Sequence, residues 1–136
     1  MYNKLDKFLL EDVTINSWYY DGFSIAQEML SQFSASDWEE LSKQVLTKPL
    51  EWQKKLIYCL DNEIIDEELN IIVTLITVDD LEVFDMCVDA LRAFDNEIGH
   101  KYVASNPSIL KEIKKRSQNA GIATKKVLEE FLSKFA

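Results

Sequence analysis

An all-α chain is what this sequence predicts, and three observations predict it. Only three glycines and two prolines punctuate 136 residues, too few turn residues for a fold of many short strands. Apolar residues recur at spacings of three and four almost throughout, the period that lines one face of a helix. Hydrophobic residues form 47% of the chain and aromatic residues 11%, enough for one domain, residues 1–136, to bury a core without disulfides or metals.

Read in order, the pattern predicts about eight helices stacked as antiparallel pairs, an α-solenoid-like arrangement. The first spans roughly Leu5 to Val13 and the second Gly22 to Gln32, with Trp18-Tyr19-Tyr20 as an aromatic turn between them. Ser36 is placed to cap the third, with Glu39 reaching back as its N3 partner. Pro49 suits the first turn of a fourth, extending to about Leu60, because its missing N–H does no harm there. Asp66-Glu67-Glu68 puts three acids where the macrodipole of a fifth favours them, and Asp79-Asp80 opens a sixth. The β-branched run Ile71 to Ile76 also fits a buried strand, but the acidic start favours a helix. Glu97 to Asn106, with Gly99 inside it, reads as a loop or hinge. Pro107 begins a seventh helix ended by Gly121, and Ile122 to Phe135 forms the eighth.

A repeat of 31 residues runs through the middle of the chain. Trp38, Leu41 and Val45 map onto Leu69, Ile72 and Ile76, and Leu50-Glu51, Ile57 and Leu60 map onto Leu81-Glu82, Val88 and Leu91. One offset aligns both helices of a pair, which implies stacked pairs that each bury a face against the next. Trp38-Glu39-Glu40-Leu41, Pro49-Leu50-Glu51-Trp52-Gln53 with Leu56 and Leu60, and Asp79-Asp80 with Val83 and Ala90-Leu91-Arg92 carry a resemblance. Over residues 36–95 the chain resembles the HEAT-like helix pairs of small bacterial immunity proteins, encoded beside polymorphic or contact-dependent growth-inhibition toxins. The resemblance implies a cytoplasmic protein that blocks its cognate toxin by binding it. It carries no catalytic signature and no site residue onto this chain.

Charge is spread unevenly. The formal net charge is −9, yet Asp61 to Glu97 holds 12 acids and one base, Arg92, while residues 101–136 hold three acids and eight bases. Such an acidic stretch repels nucleic acid and anionic membranes and attracts cationic proteins. No leader peptide and no membrane span is expected, and Cys59 and Cys87, each inside an apolar helical pattern, read as reduced core thiols of a cytosolic protein.

The familiar catalytic constellations are missing from the pattern, so no enzyme, metal or cofactor is expected. His100, the lone histidine, is followed by Lys101 and reads as a loop residue; no Gly-rich phosphate loop is present; Asp66 stands where a calcium loop starting at Asp61 requires glycine. Glu63 with Asp66 and Glu82 with Asp85 have the one-turn spacing by which helical pyrophosphohydrolases hold magnesium, but no base near them would greet a phosphate. Lys111, Lys114, Lys115, Arg116, Lys125 and Lys126 follow helix ends and polar faces, so nucleic acid is not the expected partner.

A partner-binding surface remains. Glu82, Asp85 and Asp89 lie opposite Phe84, Val88 and Leu91, and no nearby base on that helix relieves them before Arg92. Under the repeat, Glu51, Lys54 and Tyr58 occupy the equivalent positions. Glu51, Tyr58, Glu82, Asp85 and Asp89 are therefore expected to line one face that binds a cognate, cationic, nuclease-type toxin or, alternatively, another basic protein as a helical-repeat adaptor.

Overall fold

The chain's N-terminal helix begins at once, because Leu5 and Leu9 lie one turn apart on a face that is fully buried. The computed structural model describes residues 1–11 and 17–135; the predicted end of this helix at Val13 lies outside them. Nine α-helices and no strand occur among the described residues. They are α1 Tyr2–Leu10, α2 Phe23–Ser31, α3 Ala35–Gln44, α4 Leu50–Ile57, α5 Asp66–Leu75, α6 Leu81–Leu91, α7 Glu97–Ser105, α8 Ser108–Ser117 and α9 Ile122–Phe135. A π turn, Trp18–Gly22, leads into α2, and 3₁₀ turns follow α3 and α6 at Val45–Thr47 and Arg92–Phe94.

Local chemistry sets the helix starts. Ser34, not Ser36, caps α3: its hydroxyl accepts the N–H of Asp37 (3.2 Å) while the Asp37 carboxylate accepts the N–H of Ser34 (3.0 Å), a reciprocal box shifted two residues from the expected one. Pro49 stands at the N-cap of α4, just before its first turn, with extended ψ of 155°. Asp80 and Asn96 cap α6 and α7 through the N–H groups of Val83 (3.0 Å) and Gly99 (2.9 Å). Ile71 to Ile76 is helical: Ile71, Ile72, Leu75 and Ile76 are all buried, so tertiary packing overrides their β propensity.

The ninth helix is α7, in the segment expected to be a hinge. Its amphipathic signal is weak, since Val103 and Gly99 are its only buried residues. Gly99 is there for space: a Cβ on it would lie 1.8 Å from the Phe94 carbonyl oxygen. Gly121 does not end α8 in a left-handed cap, for no glycine has positive φ; its carbonyl instead accepts the N–H of Lys125 (2.8 Å) at the start of α9.

The 31-residue register governs the stacking. α3 and α5 span residues 35–44 and 66–75, α4 and α6 begin at 50 and 81, and α7 begins at 97. The repeated apolar positions Trp38/Leu69, Leu41/Ile72, Val45/Ile76, Ile57/Val88 and Leu60/Leu91 are buried, whereas Leu50 and Leu81 are both exposed at helix starts. α3 packs on α5 and α5 on α7 in one layer; α4 packs on α6 and α6 on α9 in the other. α1 closes the N-terminal end against α2, α3 and α4, and one connected core runs from Tyr2 to Phe131.

Replacing Gly99 by alanine should destabilise the protein by about 1–3 kcal/mol, because the clash is with backbone and cannot be relieved by a rotamer change. Gly121→Ala, whose Cβ meets nothing within 4 Å, should be neutral or stabilising by up to about 1 kcal/mol. Urea denaturation midpoints of the two variants check this; equal midpoints contradict it.

Candidate functional site

The side-by-side packing of α4 and α6 determines what their polar residues meet. Lys54 of α4 reaches across to the Glu82 carboxylate (2.8 Å) and also contacts Glu51 (3.4 Å). The bond to Glu82 is the main cause holding the Lys54 ammonium above its ordinary pKa, and burial opposes it. Asp85, the repeat equivalent of Lys54, reaches forward in the same way and accepts the Thr124 hydroxyl of α9 (3.1 Å). Each residue of the pair thus bridges to the next helix of its layer.

Of the five residues expected on one face, Glu51, Tyr58, Glu82 and Asp89 border a connected groove. Asp85 does not share it: it turns into the crevice between α6 and α9. The acids of the face are also partly answered, because Lys54, on α4 with Glu51, serves both Glu51 and Glu82 of α6. Asp89 contacts Arg92 (3.4 Å) with both side chains largely exposed, a pair worth well under about 1 kcal/mol.

Aromatic rings build the groove's wall. Tyr58 meets Tyr19 edge-on at 4.9 Å and Phe23 edge-on at 5.5 Å. Tyr19 and Tyr58 remain 48% and 41% exposed, large fractions for rings already packed together. A cavity of about 540 Å³ lies against Tyr19, Phe23, Tyr58, Met86, Asp61 and Asp89. It continues past Glu82 into a recess of about 140 Å³ beside Trp18, Lys54 and Lys55. The buried indole N–H of Trp18 has no acceptor among the described residues. Asp61 is exposed at the groove's rim; partial desolvation against the wall raises its carboxyl above the usual carboxylate range, its own backbone N–H opposes this, and the nearby Asp89 charge adds to it. Among the described residues no lysine or arginine pairs with Asp61.

The loop carrying Asp61 is pinned from behind. Ile64 has φ 53°, a left-handed conformation that costs a β-branched residue about 1–2 kcal/mol. Glu68, almost wholly buried, accepts the N–H groups of Glu63 (2.9 Å) and Ile64 (2.7 Å) through one oxygen, and the other has no hydrogen-bond partner among the described residues. Burial pushes its carboxyl up to about 7, against the lowering effect of those N–H groups.

Elsewhere, the predicted features resolve into packing. Cys59 and Cys87 are free and buried, and burial raises both thiols, Cys87 to about 12. His100 sits on α7, not in a loop; it bonds Asp95 (2.9 Å) and stacks on Phe135 at 4.1 Å. Glu82 and Asp85 turn to different neighbours, and no group of three or more potential ligands converges on a metal position among the described residues. Arg116 donates to the Thr77 carbonyl (2.9 Å) and lies over Phe84, while Lys111, Lys114 and Lys115 face solvent. No described helix is long and apolar enough to cross a membrane. No known protein family, curated protein or solved structure matches the chain.

Tyr19, Phe23, Met86 and Asp61 join the groove without having been singled out for it by sequence, whereas the repeat itself puts Lys54 on this face. The aromatic turn before α2 is the one signal that pointed toward Tyr19; Asp61 follows the end of α4 with nothing in its spacing to distinguish it.

Because the Glu68 carboxyl is raised in the folded state, the native protein binds a proton that the unfolded chain releases between about pH 4.5 and 7. Stability from this group is present below that window and is lost as pH rises through it. The lowered carboxyls of Asp37 and Asp95 have the opposite sign and act below about pH 4. Melting temperature should therefore fall between pH 5 and 8 in the wild type and stay flatter in Glu68→Gln, whose amide oxygen can still accept both N–H groups. Parallel profiles would show that Glu68 is not the titrating group.

Proposed function

We propose that this chain is a protein-binding domain of HEAT-like helix pairs that takes a basic partner into the groove between the π turn, α4 and α6. The observation that carries the reading is the pair of half-exposed tyrosines, Tyr19 and Tyr58, set beside Asp61, which no lysine or arginine pairs with among the described residues, and Asp89, whose contact with Arg92 is exposed. Tyrosine is enriched in interface cores, where its ring supplies contact area at low entropic cost, and acids around it steer a cationic partner. No catalytic role belongs to this reading.

Within it, the resemblance over residues 36–95 favours a cytoplasmic immunity protein that covers the active site or substrate path of a cationic, nuclease-type bacterial toxin. A helical-repeat adaptor for another basic protein is the second version. Gene order separates them: an immunity gene lies directly downstream of a large gene ending in a toxin domain.

Kinetics of association with the partner so identified test the groove. Reversing Glu82 and Asp89 to lysine should slow association roughly tenfold at low salt and flatten its salt dependence, since screening already shortens the reach of charge to about 10 Å at 0.1 M. Tyr58→Ala should mainly hasten dissociation. Lys114→Glu with Lys115→Glu, on exposed α8, should change neither rate more than twofold or so. An unaltered rate and salt slope in the double lysine variant, with its fold intact by circular dichroism, would remove the groove from the binding site.

A further inference from the structure

The two ends of the groove differ in how their charge is balanced. At the narrow end the chain supplies its own cation: Lys54, only 19% exposed, sits between Glu51 and Glu82 beside Trp18 and Tyr58. At the wide end the same ingredients recur without a cation. Asp61 is unpaired among the described residues, Asp89 is held only by the exposed Arg92, and Tyr58 and Phe23 stand beside them. Asp61 stands exposed at the rim of the cavity beside Asp89, and an incoming positive charge would offset the repulsion between the two carboxylates.

We propose that the wide end is a receptor for one arginine side chain of the partner, stacked on the Tyr58 and Tyr19 wall and bonded by Asp61 and Asp89. This rests on the reading of the groove as the site for a basic protein, and it names the anchor. Arginine fits better than lysine: its flat guanidinium can stack on a ring while its five donors fork onto two carboxylates, whereas an ammonium is a compact charge that holds its water more strongly. The cavity of about 540 Å³ has room for the side chain, and Met86 offers the adaptable apolar surface that its methylene stem needs.

The probe is the blocked tripeptide acetyl-Gly-Arg-Gly-amide, titrated into the ¹⁵N-labelled full chain and followed by NMR, with the lysine and citrulline tripeptides alongside. The expected result is saturable shifts at Tyr19, Tyr58, Asp61 and Asp89 with millimolar dissociation, at least threefold weaker binding for lysine, and none for neutral citrulline. Asp61→Asn should weaken arginine binding fivefold or more, while Glu39→Gln, on α3 and outside the groove, should leave it unchanged. Equal shifts with citrulline, shifts mapping elsewhere, or an Asp61→Asn variant that binds as well as wild type would overturn the arginine receptor. If the tripeptide fails while the partner's association still depends on Glu82 and Asp89, the anchor is lost and the basic-partner reading stands. If both fail, the groove is not the site.

Discussion

α4 is too short to exist alone. Eight residues cannot offset the cost of nucleating a helix in water, so its stability has to come from what it is packed against. Almost every side chain on it is committed accordingly. Trp52 is buried and donates its indole N–H to Asp6 of α1 (3.0 Å), and Gln53 donates to the Val45 carbonyl (2.8 Å). Lys55 bonds the carbonyls of Leu9 (3.3 Å) and Glu11 (2.8 Å), closing the C-terminal end of α1 with a cation where the dipole favours one. Lys54 crosses to α6, and Leu56 and Ile57 fill the core. The residue just past the helix end, Tyr58, is left over for the surface, and the groove forms around it.

The acidic run is accounted for by the same packing. Taken as a list, 12 acids against one base between Asp61 and Glu97 look like a single electrostatic feature. In the fold they serve separate ends. Asp66 and Glu67 lie in the first turn of α5, Asp80 caps α6, and Glu68 is inside, pinning a loop. Asp95 is bonded by His100 and Lys134, and Glu82 by Lys54. Most of the charge is thus spent on helix ends and local pairs, each worth a fraction of a kcal/mol to about 1 kcal/mol. What remains uncompensated beside an apolar wall is concentrated at Asp61, and that is a property of place rather than of composition.

This explains which parts of the structure were legible in the sequence. Helix class, the order of most elements and the 31-residue register are read from the periodic burial of large apolar residues, a signal that survives whatever the neighbours are. α7 escaped because it buries little and contains Gly99, whose role is set by a contact with Phe94 rather than by backbone freedom. The register itself held the missing clue, since 31 residues beyond Asp66 lies Glu97, the first residue of α7. The site was half legible for a related reason. Face arguments on one helix place Glu82, Asp85 and Asp89 together, but whether a side chain joins a groove depends on the next helix: Lys54 draws Glu82 in, and Thr124 of α9 draws Asp85 away.

The groove's position follows from where the repeat stops. Its far wall comes from the π turn Trp18–Gly22, in which the Phe23 N–H bonds the Trp18 carbonyl five residues back. That extra residue lets Trp18 turn inward, where it packs on Phe8 at 5.9 Å and beneath Lys55 at 5.6 Å, while Tyr19 turns outward beside it. Gly22 makes the turn possible, since a Cβ there would lie 2.5 Å from the Trp18 ring. Burying one large ring therefore presents the next one. Tyr58 then stands locked edge-on between Tyr19 and Phe23, with little rotamer freedom left to lose on binding. A surface whose aromatic contacts are ordered before a partner arrives forfeits less entropy on association than one that must gather them, so the packing that stabilises this end of the fold also prepares it to bind.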